Sequence, residues 1–331
     1  MDKKKVFSGI QPTGEVHIGN YLGAIKNWIS LQDSYDCVFS IVDYHAITVE
    51  YDPSVLESRI LNVAATNIAA GLDPNKVILF VQSMVPEHTE LTWFLTCLTS
   101  IGALERMTQF KEKASRQKGN IFAGLMNYPI LQAADIVLYK AEFVPVGEDQ
   151  LQHLELAREI VRRFNSTFGK EVFPEPKSLL TSGARVMALN DPTSKMSKSL
   201  PGSYISLTED PDSIRKKIMR AVTDPGPQGS EMGPGIKNLF TLLEGFASSE
   251  VVTKFKNDYA AGNLRYKDLK ETLAEAIIDG LTPIRERKEE ILSKPEDLKE
   301  ILNEGGRKAR AQAVETLKEV RDIMGFNFPK A

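Results

Sequence analysis

Strand-like and helix-like segments alternate through the first half of this chain, and this order limits the possible folds most strongly. Apolar, strand-like runs occur at Val6-Phe7, at 36–48 and at 76–85. Helical patterns follow the second and third runs, one from 53 to 70 and one from 86 to near residue 102. A β-α-β-α-β order predicts a parallel sheet with right-handed crossovers.

Ligands of parallel sheets bind at the carboxyl ends of the strands. This rule places three polar segments at one rim of the predicted sheet, namely Gly9–Thr13, Asp43–His45 and Gln82-Ser83. We therefore expect the chemistry of the chain at this rim.

The rest of the chain changes from mixed to helical patterns. Helical patterns continue at 104–117, 121–140 and 152–164, and short strands are predicted at Phe143–Val146 and at 186–189. Beyond Thr208, helical periodicity recurs at 212–221, 236–246, 250–260, 266–292 and 295–324. We predict an α/β, Rossmann-like parallel sheet domain over 1–205, with a helical insertion around 104–142. An all-helical domain over 206–331 would follow, and its last helix could pack back on the first domain.

Composition excludes several classes of protein. The 331 residues carry a net charge of −3, which argues against non-specific nucleic-acid binding such as DNA binding over the whole surface. No apolar run approaches the roughly 20 residues of a membrane span, and no signal peptide follows the basic N-terminus. Cys37 and Cys97 fit no C-x-x-C pattern, and we expect two buried, reduced thiols in a cytoplasmic protein.

A glycine-rich turn from Gly9 to Asn20 follows the first strand and leads into an amphipathic segment that begins at Tyr21. Such a turn binds phosphate, because N–H groups without helical partners and the positive end of the helix dipole face the ligand. His17 and Asn20 lie at this helix start, where they could add side-chain donors. The turn predicts a phosphate-bearing ligand.

A polar loop at 190–203 contains the sequence Lys195-Met196-Ser197-Lys198-Ser199. Lysine ammonium groups suit phosphate oxygens, and nucleotidyl transfer depends on positioning and charge stabilisation more than on covalent help from the protein. A lysine-serine loop alone is usually solvated surface. In the same chain as a phosphate-binding turn, it predicts the second side of a triphosphate site.

Together, the turn and the loop resemble the paired signatures of class I aminoacyl-tRNA synthetases, with HIGN after GIQPTG and KMSKS downstream. Over the whole chain, the sequence resembles the bacterial-type tryptophanyl-tRNA synthetases. The resemblance rests on GIQPTGEVHIGNYLGA, IVDYHAIT, GALERMTQFKEK, YPILQAADI, VPVGEDQ, KMSKS and AVTDPG. In one departure, Asn20 replaces the last His of the HIGH signature, and its amide donates to phosphate but cannot become cationic.

The resemblance implies a reaction in two steps. ATP and L-tryptophan give tryptophanyl-adenylate and pyrophosphate, and the amino acid then passes to the terminal ribose of tRNA(Trp). The resemblance further implies a homodimer and a Mg²⁺ ion that arrives with ATP, held mainly by phosphate and water. The residues that it places at ATP are Gln11, Pro12, Thr13, Gly19, Asn20, Gly147, Glu148, Asp149, Val186, Lys195, Met196, Ser197, Lys198 and Ser199. Those expected to carry catalysis are Lys195, Lys198, Gln11, His17 and Asn20.

The tryptophan pocket can be argued in part from chemistry. Tryptophan has one N–H donor on a large apolar side chain, and a buried carboxylate would bind that donor well. Asp135 lies in the mostly apolar run 131–138, where the residues alone favour an exposed position on an amphipathic helix. The resemblance instead places Asp135 on the indole N–H. The other residues that it places in the pocket are Tyr128, Gln150, Gln132, Phe7, His45, Val144 and Val146.

The histidines and cysteines show no metal-ligand spacing, so we expect no protein-bound metal. His45 ends the second strand and is either satisfied by backbone or part of the pocket. We expect His88 and His153 on helix surfaces.

Three other functions compete with tryptophan activation. Asp135 could equally accept a hydrogen bond from the phenol of tyrosine, which would give the same chemistry with another amino acid. A cofactor-making adenylyl transferase is disfavoured, because those enzymes usually lack a KMSKS loop and so large a helical domain. A non-catalytic relative that binds tRNA or tryptophan is disfavoured by the intact Lys195 and Lys198. The basic stretches at 106–118 and 215–220 are either solvated helix faces or phosphate contacts, and the sequence leaves both open.

Overall fold

One parallel sheet organises the first half of the molecule. The computed structural model describes residues 3–111, 122–147, 150–180, 185–197, 202–223 and 232–327. Within these ranges the strands are β1 (Lys5–Ile10), β2 (Asp36–Ile41), β3 (Ile78–Val81), β4 (Phe143–Val146) and β5 (Lys177–Leu180). Their spatial order is β3-β2-β1-β4-β5, and all pairs are parallel. The prediction of a parallel α/β sheet is confirmed.

Helices cover the sheet and make up the second half of the described chain. The helices between the strands are α1 (Ile18–Asn20), α2 (Lys26–Leu31), α3 (Asp43–Ala46), α4 (Leu56–Ala69), α5 (Glu87–Thr96), α6 (Ile101–Glu105), α7 (Ala123–Leu138) and α8 (Leu151–Phe168). A π-helical turn, Tyr21–Ile25, joins α1 to α2. Later in the chain come α9 (Pro211–Arg220), α10 (Pro234–Phe246), α11 (Ser249–Ala260), α12 (Tyr266–Leu292) and α13 (Pro295–Met324). The predicted helical second half is confirmed.

β1 lies at the centre of the sheet, and its pairing is much longer with one neighbouring strand than with the other. It pairs with β2 along its whole length, from Lys5 opposite Asp36 to Ile10 opposite Ile41. With β4 it shares only the pair Val6–Phe143. The chain order of the strands also reverses between β1 and β4, and ligands bind in the crevice at such a switch point.

Two apolar cores lie on opposite faces of the sheet, because successive side chains of a strand point to opposite faces. Val6 belongs to the first core, which continues through α2 and α4 into helices α9 to α12. In this core, Trp28 stacks on Phe39 with ring centroids 4.4 Å apart. Phe7 belongs to the second core, which α5, α7 and α8 supply together with the end of α13. The first core therefore contains residues from both halves of the chain.

The last helix, α13, packs directly on the edge strand β3. Gly305 makes this possible, since a Cβ built at that position would lie 1.8 Å from the carbonyl oxygen of Leu79. At Gly306 a Cβ would lie 3.0 Å from the sulfur of Met84. The two glycines therefore let the helix backbone approach the strand backbone.

One short strand was not predicted, and one predicted strand is wrong. Lys177–Leu180 forms β5 beside β4, although its Lys-Ser start carries little strand pattern. The run 186–189 was expected to be a strand and is not one. Its Met187 forms an isolated antiparallel bridge with Lys195, so it pairs with the lysine-rich loop rather than with the sheet.

Cys37 is buried as expected, whereas Cys97 is exposed, which corrects the expectation of two buried thiols. Among the described helices, none is long and apolar enough to cross a membrane.

Candidate active site

The switch point brings two sequence motifs to the same edge of the sheet. β1 ends at Ile10, directly before Gln11-Pro12-Thr13, and β4 ends at Val146, directly before Gly147. Gln11 and Gly147 are exposed at these ends, while Pro12 is buried. Both segments can therefore contact one ligand in the crevice between the two strands.

The helix start of the HIGN segment is closed by a reciprocal cap. The backbone N–H of Asn20 donates to Nδ1 of His17 (3.3 Å), and the backbone N–H of His17 donates to Oδ1 of Asn20 (3.2 Å). The N–H of Ile18 donates to the carbonyl of Ile205 (3.0 Å). Several donors that the sequence left for phosphate thus bond within the protein, and this cap holds the imidazole of His17 in one orientation.

Gly19 is the point where the two signature segments meet. A Cβ at this position would lie 3.0 Å from the imidazole of His17 and 3.5 Å from the sulfur of Met196. Met196 itself is 3 % exposed and belongs to the first core. The second residue of the KMSKS sequence, Met196, is therefore an apolar anchor against HIGN, and it lies between Lys195 and Lys198 in the sequence.

A small antiparallel arm carries the start of the KMSKS sequence. The bridge between Met187 and Lys195 is extended by two backbone bonds, from Met196 to the carbonyl of Val186 (3.1 Å) and from Ala188 to the carbonyl of Ser194 (2.8 Å). The backbone of Val186 is thus partly used to hold Met196. The arm fixes Lys195 relative to the segment that precedes it.

Asp135 on α7 lies at the centre of a buried polar cluster. Its Oδ2 lies 2.8 Å from Nε2 of His45, and its Oδ1 accepts from Nε2 of Gln82 at 2.7 Å. Nδ1 of His88 lies 2.7 Å from the same Oδ1. Asp135 is 1 % exposed, so the exposed position favoured by the residues alone is wrong.

The charge of Asp135 is retained despite this burial. Burial by itself raises the pKa of a carboxyl, but His88 and His45 outweigh it and hold the pKa of Asp135 well below its ordinary value. Burial keeps the hydroxyl of Tyr139 protonated, since its pKa lies well above the ordinary value, and this hydroxyl lies 2.8 Å from Nε2 of His88. The imidazole of His88 therefore lies between the hydroxyl of Tyr139 and the carboxylate of Asp135.

Tyr128 and the two glutamines form a second polar group near Asp135. The hydroxyl of Tyr128 lies 2.9 Å from Nε2 of His153, and burial raises the pKa of Tyr128 to about 12. Gln132 donates from Nε2 to Oε1 of Gln150 at 3.3 Å. The rings of His45 and Tyr128 meet edge to face at 6.3 Å, which connects this group to Asp135.

The expected apolar walls lie in the second core. Phe7 stacks on Tyr139 with centroids 5.5 Å apart, and Val144 and Val146 are buried on β4. Tyr139 also contacts His88 of the Asp135 cluster through its hydroxyl. Phe7 therefore packs against a residue that holds the polar cluster in place.

The structure gathers expected site residues into two groups, one where the HIGN segment meets Met196 and the arm of Lys195, and one around Asp135. Four of them, Glu148, Asp149, Lys198 and Ser199, lie outside the described residues. His88 and His153 were expected on helix surfaces, and both expectations are wrong, since they are 0 % and 2 % exposed.

Sequence reasoning also missed Gln82 and Tyr139 as partners in the cluster. Gln82 carried a usable signal, because it directly follows β3 at the expected rim. His88 and Tyr139 carried none, because helical periodicity does not identify the residue that a buried side chain contacts.

Comparison with known proteins places the chain in a family. The family model described as tRNA synthetases class I (W and Y) matches residues 2–282. The tryptophan–tRNA ligase of Caldanaerobacter subterraneus subsp. tengcongensis is 51% identical, with 98% of each chain covered. That of Rickettsia conorii is 47% identical, with 98% of this chain and 99% of the relative covered.

Solved structures agree with the sequence relatives. A tryptophanyl-tRNA synthetase from Mycoplasma pneumoniae superposes with a TM-score of 0.89 at 35% identity, covering 98% of both chains. One from Campylobacter jejuni, complexed with ADP and tryptophan, has a TM-score of 0.83 at 35% identity, with 97% of this chain and 99% of that one covered. The parallel sheet, the two signature segments and these similarities lead to one conclusion: the chain belongs to the class I tRNA synthetases, among the bacterial tryptophan–tRNA ligases.

Proposed function

We propose that this chain is a tryptophan–tRNA ligase, which activates L-tryptophan with ATP and then charges tRNA(Trp). Near full-length similarity to relatives of that name supports the proposal. The structural observation that supports it best is Asp135, a buried and ionised carboxylate at the edge of an apolar core. Such a group suits a ligand that is large, apolar and equipped with a single N–H donor.

Recognition of the indole ring would depend on the remaining acceptor capacity of Asp135. A carboxylate offers about four acceptor positions. Gln82 uses one of them at Oδ1 and His45 uses one at Oδ2, while Nδ1 of His88 lies 2.7 Å from Oδ1. The position left at Oδ2 would accept the indole N–H. Tyr128 and Gln150 would bind the α-ammonium group, and Gln132 would hold Gln150 in place.

Adenylate formation requires a nucleophile, an electrophile and a leaving group in line. The carboxylate of tryptophan attacks the α-phosphorus of ATP, an O–P bond forms, and the bond to pyrophosphate breaks. Positioning and charge stabilisation supply most of the acceleration in such transfers. Gln11, His17 and Asn20 would hold the nucleotide at the HIGN side, and Lys195 and Lys198 would stabilise the departing pyrophosphate.

The same crevice would hold the rest of the nucleotide. Pro12, Thr13 and Gly19 would line the phosphates and ribose on one side, and Gly147, Glu148 and Asp149 on the other. Val186 would meet the adenine, and Met196, Ser197 and Ser199 would lie beside the phosphates. A Mg²⁺ ion would enter with ATP and rest mainly on phosphate and water, since the described residues contain no group of three or more His, Cys, Asp or Glu suited to a metal.

ATP–pyrophosphate exchange tests the first step directly. We expect exchange that depends on tryptophan, with tyrosine at least about 10⁴-fold less effective, as in sites that bind a substrate N–H and need no proofreading. Exchange with tyrosine but not tryptophan would replace the proposal by the tyrosine reaction. Binding of ATP and tryptophan without exchange would favour a non-catalytic relative.

We assign the two parts of the chain different roles. Residues 1–205 would form the catalytic domain with its insertion around 104–142, and residues 206–331 would bind tRNA.

In the basic stretch of α9, Arg215 pairs with Glu275 and Lys217 pairs with Glu209, which favours a structural role for these two cations. The reaction consumes ATP and tRNA, so the cytoplasm is its expected location.

Three exposed apolar side chains favour a homodimer. Trp93 on α5, Ile101 on α6 and Phe122 before α7 are 66 %, 65 % and 70 % exposed, and α7 packs against both other helices. A second copy of the chain would cover them. Sedimentation should show a dimer that Trp93→Glu weakens and Val314→Glu leaves intact. A monomer at micromolar concentration would contradict the assignment.

A further inference from the structure

Asn238 on α10 uses its whole side-chain amide on the backbone of one distant residue. Its Oδ1 accepts from the N–H of Met187 at 2.9 Å, and its Nδ2 donates to the carbonyl of Met187 at 3.0 Å. Asn238 is 4 % exposed. An amide buried in apolar surroundings is costly unless it is fully bonded, and here both of its polar atoms are.

Met187 belongs to the arm that carries Lys195. Met187 faces Lys195 in the isolated bridge, and the carbonyl of the preceding Val186 accepts a hydrogen bond from the N–H of Met196. Among the described residues, the arm joins no strand of the sheet. The amide of Asn238 supplies the donor and acceptor that a neighbouring strand would otherwise present to Met187.

The other end of the same helix contacts the helix that follows HIGN. A Cβ at Gly245 would lie 2.7 Å from the side chain of Leu22, so the two helices are in close contact. The ammonium group of Lys26 donates to the carbonyl of Gly245 at 3.0 Å, and Tyr21 packs against Phe246 with centroids 6.0 Å apart. Seven residues separate Asn238 from Gly245, which is about 10 Å along a helix.

We propose that Asn238 is a positioning residue for Lys195, and that α10 acts as a spacer between the two signature segments. One end of the helix fixes the arm of Lys195, and the other end rests on the helix after HIGN. The distance between the lysine and the HIGN helix start is then set by a helix that touches neither substrate. This inference rests on the proposed function, since it needs a reaction that Lys195 accelerates.

The chemistry of the amide makes the proposal specific. The short amide of asparagine can accept from the N–H and donate to the carbonyl of the same residue, as it does here with Met187. Aspartate would keep the bond to the N–H of Met187 but would set a carboxylate against its carbonyl. Alanine would remove both bonds and leave the partly buried peptide unit of Met187 without the partners that Asn238 supplies.

Pre-steady-state and exchange kinetics of Asn238→Ala and Asn238→Asp test the inference. We expect the rate of adenylate formation to fall by about 10-fold or more in both variants, as for lost buried hydrogen bonds. Tryptophan binding, measured by equilibrium dialysis, should stay within about twofold of wild type, because the side-chain bonds described for Asn238 run to Met187 and not to the Asp135 cluster. A folded Asn238→Ala protein with wild-type adenylation would overturn the proposal, as would an equal loss of tryptophan binding.

A double-mutant cycle with Lys195→Ala separates positioning from a general loss of structure. If Asn238 acts through Lys195, Asn238→Ala should slow the Lys195→Ala enzyme by less than about twofold. A full and independent loss in the double variant would overturn the proposal. Thr241→Ala lies one turn further along α10, where its hydroxyl bonds only the carbonyl of Lys237, and serves as the control with unchanged kinetics.

Exchange assays of the wild-type enzyme distinguish a failure of the proposed function from a failure of the role assigned to Asn238. Absence of exchange with tryptophan in wild type would contradict the function. Exchange in wild type that Asn238→Ala leaves unchanged would contradict the role of Asn238 alone.

Discussion

At the scale of single residues, Asp135 shows how a buried carboxylate is held in place inside a protein. Its neighbours come from three elements: His45 from α3, rather than from the end of the second strand as expected, Gln82 from the turn after β3, and His88 from α5. Gln82 in turn accepts from the backbone of Tyr44, so its amide spans from the end of β2 to α7. The carboxylate is therefore held in one orientation, which in the proposed tryptophan pocket reduces the ordering required on binding.

Asp135→Asn should weaken tryptophan use more than ATP use. The substitution removes the charge and turns one acceptor into a donor, so we expect kcat/KM for tryptophan to fall by about 10- to 150-fold, the value of a hydrogen bond to a charged group. Exchange assays with tryptophan, tyrosine and phenylalanine measure the effect. Unchanged discrimination among the three would exclude a role of Asp135 in recognition.

Asp135 should also contribute to stability in a pH-dependent way. Its pKa in the folded protein lies below the value of about 3.9 in unfolded chains, so the ionised group stabilises the fold above that pH, and the contribution is lost as pH falls below it. In urea unfolding, the deficit of Asp135→Asn should be larger at pH 6 than at pH 3. Asp212→Asn, whose side chain is 96 % exposed, is the control with little change across this range. A deficit that grows towards low pH would contradict the assignment.

The two cysteines should differ strongly in reactivity. Burial, together with the nearby charge of Asp36, raises the pKa of Cys37 to about 12, and the residue is 0 % exposed. Cys97 is exposed on the surface. Iodoacetamide at pH 8 should label one thiol in the native protein and both in urea, because the thiolate is the reactive form. Mass spectrometry that finds Cys37 labelled in the native protein would contradict this.

At the scale of elements, the contact between α13 and β3 depends on Gly305. A Cβ there would lie 1.8 Å from the carbonyl oxygen of Leu79, so Gly305→Ala must push the helix away from the strand. We expect a loss of about 3 kcal/mol in the free energy of unfolding, at the upper end of overpacking effects. Gly124→Ala is the matched control, because a Cβ at Gly124 meets nothing within 4 Å. Equal stability of the two variants would show that α13 can move without cost.

The elements also show what a sequence can and cannot predict. Periodicity is a property of a segment, and it located β1, β2, β3 and β4 and the helices that cover them. It failed at β5, where four residues pair with β4 at an edge and need few apolar side chains. It failed again at 186–189, where an apolar run is buried against Asn238 and the lysine arm instead of the sheet. In both cases the partner of the segment, which lies far away in the chain, decided its structure.

Some residues of the candidate site could be located from the sequence, and others could not. Gln11, His45 and Gly147 could be placed because they follow strands, and strand order determines where strand ends meet. The roles proposed for Asp135 and Lys195 came from resemblance to a family. The environment of Asp135 could not be predicted, because whether His88 contacts it depends on how α5 packs against α7.

At the scale of the whole molecule, the first core crosses the boundary between the two halves of the chain. Val6 and Trp28 from the first half pack in the same cluster as Leu239 and Leu273 from the second. A shared core makes the stability of each half depend on the other. The proposed division at residue 205 is then a division of function within one cooperative unit.

Unfolding should therefore show one transition. Trp28 is 2 % exposed in the first core and Trp93 is 66 % exposed, and the sequence contains two tryptophans. In Trp93→Phe, the fluorescence of Trp28 reports on the core, and far-UV circular dichroism reports on the helices. The two denaturation curves should coincide within error. Separate midpoints would show that the helical half unfolds on its own.

The π-helical turn at Tyr21–Ile25 restricts which deletions the helix after HIGN can tolerate in evolution. A π turn holds one residue more than an α-helical turn, and in an α-helix one residue corresponds to a rotation of about 100°. Removing a residue from this turn would give a regular helix, but it would rotate the signature side chains against Trp28, which must stay stacked on Phe39. The extra residue thus lets one helix keep the capped HIGN segment at its start and a packed core residue at its end in their present orientations.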